Sequence, residues 1–294
     1  PPTSLDRSAV ALYLMYRHFV GEGTYFREVK LASAATILRV DDAEVHERQY
    51  WRYGLQEDPP WRSPEEDADA MAEAFAEGME RVRREPGPMA VPLSGGLDSR
   101  AIAGELHRGG RAFSAITFGR PGSRDVTLAQ EVTKILAAPH TVVPLLPDYL
   151  IAKASLIARR TDGAYPINHG HVATTLDVIA PATVAVDGFT GEILSSEKVR
   201  DAKATVAPED ALGLINRYYQ TTPDGRVNDL LPDLPDKRAL AASAGDAVSH
   251  RGHRLAASVI DLFSLEQRQR RFTLNGPRIL GGDTRVFCPF WHYG

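Results

Sequence analysis

Cysteine is almost missing from this chain. One residue, Cys288, stands in 294, which excludes an internal disulfide framework and points to a reducing, cytoplasmic setting. An excess of positive charge is also missing. Acidic residues outnumber basic ones 38 to 34, for a formal net charge of −4, so no global basic field argues for nucleic acid or an anionic membrane as partner. No apolar run is long enough to span a bilayer, and no signal peptide, internal repeat or low-complexity tract is evident. The chain opens Pro1-Pro2 without a methionine and stops at Gly294 after an apolar, aromatic run, so a fragment is expected. What remains is an ordinary globular composition, 43% hydrophobic and 24% charged, sufficient for one large or two modest domains.

The most informative stretch is 89–104, MAVPLSGGLDSRAIAG. An apolar run through Leu93 reads as a buried strand, and Ser94-Gly95-Gly96 as a tight turn. A helix then follows, with Leu97, Ala101, Ile102 and Leu106 as its apolar positions. Strand, glycine turn and helix N-terminus together make an anion site, because first-turn N–H groups lack intrahelical partners and the helix dipole favours negative charge. Glycines let the backbone approach a phosphate closely. Asp98, in the first turn, would repel such an anion. Either it only complements the helix dipole, or a divalent cation such as Mg²⁺ bridges its carboxylate and the phosphate oxygens.

Around this stretch the pattern alternates. A helix is predicted over 5–16, short strands within 27–40 and an extended piece over 44–51. A Pro-rich, charged linker covers 54–61. Ser63-Pro64-Glu65-Glu66 reads as a capped helix start, with Met71, Phe75, Met79 and Val82 as one apolar stripe. Strands are then predicted over 89–93, 112–118, 140–145 and 183–186. Between them lie helices over 97–107, over 125–136 with Ala129, Val132 and Ile135 inward, over 147–159 and over 171–179. Such alternation implies right-handed βαβ crossovers and a parallel sheet, with ligands beyond the carboxyl ends of the strands. Beyond 200 the pattern is helical: a helix over 208–220, a loop over 221–236 and one or two helices within 237–269. A last β signal falls at 284–290. The fold class is therefore α/β, a parallel sheet with flanking helices, with a helical C-terminal part and a small N-terminal α+β piece.

A second turn, Asp187-Gly188-Phe189-Thr190-Gly191-Glu192, repeats the logic of the first: a strand end, glycines, then an acid. Either Glu192 is an exposed turn residue, or Asp98 and Glu192 share one Mg²⁺. His169 and His171 have no third ligand at metal-binding spacing.

Ser94-Gly95-Gly96-Leu97-Asp98-Ser99 resembles the SGGxDS pyrophosphate loop of the ATP-pyrophosphatase group. Its wording is most similar to the asparagine synthetase family, which includes β-lactam synthetases and lasso-peptide cyclases. No Gly-Lys-Ser/Thr follows, so it is not a Walker A loop. The resemblance implies an adenine-nucleotide fold that binds ATP and Mg²⁺. Leu93, Ser94, Gly95, Gly96, Leu97, Asp98 and Ser99 would hold the phosphates. Ile116, Thr117 and Phe118 would hold the adenine, and Asp187 and Gly188 would also bind the nucleotide. Asp98 and Glu192 would be catalytic as metal ligands. Glu192 stands where the family has an Asp, Leu194 matches, and Ser195-Ser196 replace a glycine pair. Arg285, Pro289 and Phe290 match a late Arg…Pro-Phe segment, with Trp291 and His292 departing from it; Arg285 alone reads equally as a surface arginine. The piece over 1–55 is similar to the end of a glutaminase domain, without its N-terminal Cys nucleophile, and 56–294 to the synthetase domain, ending before a lysine that the family uses.

The implied activity is an ATP-dependent, AMP-forming amide ligase. A small carboxylate would be adenylated with release of pyrophosphate, and then attacked by ammonia or an amine, aspartate and ammonia being the default pair. A specialised cyclase of the same family, and a nucleotide-binding partner subunit without catalysis, remain as alternatives. A homodimer is one assembly left open.

Overall fold

The computed structural model describes residues 3–41, 44–55, 62–191, 204–231, 255–282 and 284–291. The chain divides into two compact units, Pro1–Pro59 with Glu197–Phe272, and Pro60–Ser196 with Thr273–Gly294. From sequence the boundary is expected at 55, with 56–294 as one domain. Residues 204–231 and 255–272, read from sequence as part of the synthetase-like domain, share a unit with the N-terminal piece.

That unit is mostly helical. Helix α1 (Arg7–Tyr16) begins at Asp6, whose carboxylate accepts the Ala9 N–H at 3.0 Å, as an N-cap should. Ala11, Leu12 and Tyr16 pack against Ile215 and Tyr219 of α7 (Ala211–Tyr219), Val227 of α8 (Asp224–Leu230), and Val259, Ile260 and Phe263 of α9 (Ala256–Phe263). Helix α8 lies where a loop was expected: Pro223 precedes it as an extended N-cap, and Val227 is buried. A π-helical stretch, Ser264–Thr273, continues from α9. Strands β1 (Thr36–Val40) and β2 (Val45–Gln49) pair antiparallel and are exposed along most of their length.

The second unit is a parallel sheet between helices. Its strands are β3 (Met89–Pro92), β4 (Ser114–Gly119), β5 (His140–Pro144), β6 (Val184–Val186) and β7 (Arg285–Phe287). Their spatial order is β5-β4-β3-β6-β7, with every neighbouring pair parallel. Side chains alternate between the two faces, as a period of two requires. Met89, Val91, Leu93, Val184 and Val186 pack with α2 (Pro64–Arg83) and α3 (Leu97–Arg108) through Met79, Val82, Ile102 and Leu106. Ala90, Ile116 and Ala185 face the other side, against Ile179 of α6 (Leu176–Ile179) and Leu280 of α10 (Asn275–Leu280). Both faces are covered, which is why the strands are apolar runs rather than half-polar ones. Burying each large aliphatic side chain contributes about 1.5–3 kcal/mol.

Three expected inward positions are corrected. Ile135, at the end of α4 (Arg124–Ile135), is 78% exposed, and Thr133 takes an inward place instead. Met71 is 43% and Leu97 72% exposed. The buried face of α3 is Ser99, Ile102, Ala103 and Leu106.

Candidate active site

Consecutive strands run outward from β3 in both directions, through β4 and β5 on one side and β6 and β7 on the other. The crevice beyond the carboxyl ends of β3 and β6 is thus the switch point at which open parallel sheets take ligands. The 94–99 loop leaves β3 here, and 187–191 leaves β6. A cleft of about 330 Å³ opens between them, within the range of small-ligand sites.

The first loop is tied by its own serines. The Ser94 N–H donates to Ser99 Oγ at 3.1 Å, and the Gly96 N–H to Ser94 Oγ at 3.2 Å. Gly96 is the N-cap of α3 and offers no side chain to the first turn, so the helix end is left to an external acceptor. The Gly95 N–H donates to Asp125 Oδ1, 3.1 Å away on the first turn of α4. A Cβ at Gly95 would lie 2.8 Å from Leu128 Cδ1 and 3.0 Å from Asp125 Oδ1, so a side chain here would have to displace those groups. Behind the loop, Thr117 Oγ1 donates to the Leu93 carbonyl at 2.6 Å and is 2.8 Å from His140 Nε2. With the hydroxyl proton committed to Leu93, His140 must donate from Nε2. Burial holds the His140 pKa below its ordinary value, which favours that neutral form.

The second loop closes on Asp98. A Cβ at Gly188 would lie 3.0 Å from Asp98 Cβ, and one at Gly191 would lie 2.3 Å from Asp98 Cγ. The two glycines therefore form a cradle close against Asp98, in which an added side chain would force Asp98 to shift. Between them Thr190 is buried at φ 71°. For a β-branched residue this left-handed conformation costs about 1–3 kcal/mol, a strain that persists only where the surroundings impose it. Asp187 precedes the cradle. It keeps some surface because it lines the cleft, but its carboxyl is packed as in the interior, which pushes its pKa up to about 6 against the opposing Phe189 N–H. Cys288 lies nearby; burial first, and the Asp187 charge second, push its thiol up to about 12, so the thiolate is disfavoured there.

Of the residues expected from sequence, Leu93, Ser94, Gly96, Asp98, Ser99, Ile116, Thr117, Phe118, Asp187 and Gly188 line one cleft. Gly95 sits just behind it, and Leu97 points to solvent. Glu192 lies outside the described residues, as do Leu194, Ser195, Ser196 and His292. Arg285 pairs with Glu85 at 2.5 Å and is largely exposed. His171 bonds Tyr149 at the start of α5 (Tyr149–Arg160), and its ring lies 5.9 Å from that of Phe118, though it does not itself line the cleft. Further lining comes from Asp125, Val172, Thr273 and Gly276, none of which the sequence marked as a site residue.

Among the described residues no three His, Cys, Asp or Glu side chains form a metal cage. The carboxylate of Asp98 lines the cleft at the first turn of α3, and a single carboxylate can suit Mg²⁺, which takes few protein ligands and completes its shell with phosphate and water oxygens. No helix among the described residues is long and apolar enough to cross a membrane.

No curated protein matches the chain. A solved structure, a predicted subunit of tRNA methyltransferase from Methanocaldococcus jannaschii, is similar at 21% identity over 49% of this chain and 73% of that one. Its TM-score is 0.26, too weak a likeness to bear on function. Residues 70–176 match the family described as asparagine synthase. Over that segment, which carries β3, the 94–99 loop and the helices on either side, the chain is asparagine synthase-like, in keeping with the resemblance at Ser94-Gly95-Gly96-Leu97-Asp98-Ser99.

Proposed function

We propose that the cleft binds Mg·ATP and that the chain belongs to an AMP-forming amide ligase, which adenylates a small carboxylate and passes the acyl group to ammonia or an amine. The observation that carries this reading is the cradle: at the switch point Gly188 and Gly191 of the second loop close on Asp98 of the first, in a cleft that Asp125 and Asp187 also line. The first turn of α3, which has no side-chain cap, would hold the pyrophosphate half of the nucleotide, while the Ser94, Gly95 and Gly96 N–H groups shape the loop through Ser99, Asp125 and Ser94. The strand end at Ile116, Thr117 and Phe118 offers an apolar wall to the purine. Asp98 would hold the Mg²⁺, which when bound offsets negative charge developing on the departing pyrophosphate. Catalysis in such a site rests on positioning and preorganised charge, without a nucleophilic triad.

The test is pyrophosphate exchange into ATP that depends on an added carboxylic acid, together with nucleotide binding by Asp98→Ala. Exchange with one acid of a screened set is expected, and loss of Mg²⁺-dependent ATP affinity of about tenfold or more in the variant. Unchanged Mg·ATP affinity would remove Asp98 from the site. Tight ATP binding without exchange for any acid would favour a nucleotide-binding partner over a ligase.

A further inference from the structure

The cradle around Asp98 is itself held by the side chain of Asp187, which the sequence resemblance places among the nucleotide-binding residues with no stated role. Asp187 ends β6. Its backbone N–H donates to the Phe287 carbonyl at 2.9 Å, so the sheet fixes its position. Its carboxylate then reaches forward, and Oδ1 accepts the Phe189 N–H at 2.9 Å. A side chain that accepts from the backbone two residues on makes an Asx turn, a local device for bending a chain out of a strand. The bend delivers Gly188 and Gly191 against Asp98. It also leads into the left-handed Thr190, while Phe189 is buried beside Trp291, with ring centroids 5.5 Å apart. The Gly191 N–H closes the turn on the Gly188 carbonyl at 3.3 Å.

We infer that Asp187 is a positioning residue: its carboxylate holds the 188–191 loop in the bend that presses both glycines onto Asp98, and so sets where Asp98 presents its oxygens. This deepens the proposed nucleotide site and rests on that reading for its functional consequence, though not for its structural one. The role asks of position 187 an acceptor at Oδ1 rather than a negative charge. Asparagine supplies that acceptor, serine supplies a shorter one, and alanine supplies none.

Two measurements test it. The first, on the ligand-free protein, is amide hydrogen exchange at Phe189. Asp187→Ala should speed it by about tenfold, the upper range for loss of one hydrogen bond, whereas Asp187→Asn should leave it near wild type. The second is the ratio of ATP affinity with and without Mg²⁺. A general loss of folding would lower both affinities together. Displacement of Asp98 lowers the metal-dependent gain alone, by about tenfold in Asp187→Ala, with rescue by Asp187→Asn and partial rescue by Asp187→Ser. The inference is overturned if Asp187→Ala keeps both the Phe189 protection and the Mg²⁺ gain. It is equally overturned if Asp187→Asn loses the gain as fully as alanine does, since the charge itself would then be the ligand. Should wild type show no Mg²⁺-dependent ATP binding, the nucleotide reading fails, and the Phe189 exchange rates still decide whether Asp187 holds the loop.

Discussion

A methyl group on Gly191 would fall 2.3 Å from Cγ of Asp98 and 2.5 Å from its Oδ1, well inside van der Waals contact. The clash is with the end of a side chain, so the fold can yield by rotating Asp98 rather than by moving backbone. Gly191→Ala is therefore expected to leave thermal stability within about 1 kcal/mol of wild type while Mg·ATP affinity falls several-fold; retention of full affinity, measured by calorimetric titration, would mean Asp98 is not placed by the cradle. His18 offers a test in the helical unit. Its Nδ1 donates to the Phe19 carbonyl at 2.9 Å, its ring packs near Tyr16, Phe263 and Phe272, and Nε2 is buried without a partner among the described residues. Burial, seconded by the Arg268 and Arg271 charges, lowers its pKa to about 4 against the backbone bond, which works the other way. The folded state thus excludes a proton that the unfolded chain takes up near pH 6.5. Stability is complete above that value and lost as pH falls toward 4, by about 3 kcal/mol. Urea midpoints at pH 7 and 4.5 should converge in His18→Gln; an unchanged pH slope in that variant would place the acid sensitivity elsewhere.

At the scale of elements, what was local was legible. Ser63 and Glu66 form the capping box that their spacing implied: the Glu66 N–H donates to Ser63 Oγ at 3.1 Å and the Ser63 N–H to Glu66 Oε2 at 2.8 Å. Ser63→Ala should cost about 1 kcal/mol, read as a lower midpoint in thermal unfolding; no change would mean that packing alone fixes the start of α2. Which side of a helix is buried was less legible. Periodicity marks residues that can share a face, but the neighbours choose the face. In α4, Thr133 turned inward by spending its hydroxyl on the Ala129 carbonyl at 2.9 Å, and Ile135 was left in solvent. In α8, Val227 is buried and the segment is helical, although its Pro, Asp and Gly content read as loop.

For the whole molecule, the sequence alone determined the parallel α/β sheet, because apolar runs separated by helical periods admit few other solutions. It also determined the glycine turn after β3 and the acid within it, since both are properties of six adjacent residues. Only the tertiary structure decided that β6 lies beside β3 rather than at an edge, and so that 187–191 closes on Asp98. It likewise decided that the N-terminal piece shares its core with Ala211–Tyr219 and Ala256–Phe263, some two hundred residues away. Strand order and shared cores depend on contacts between distant segments, to which propensity and periodicity are blind. The glycines at 188 and 191 show the same division: the chain displays them, but only the fold shows that Asp98 occupies the space their side chains would need.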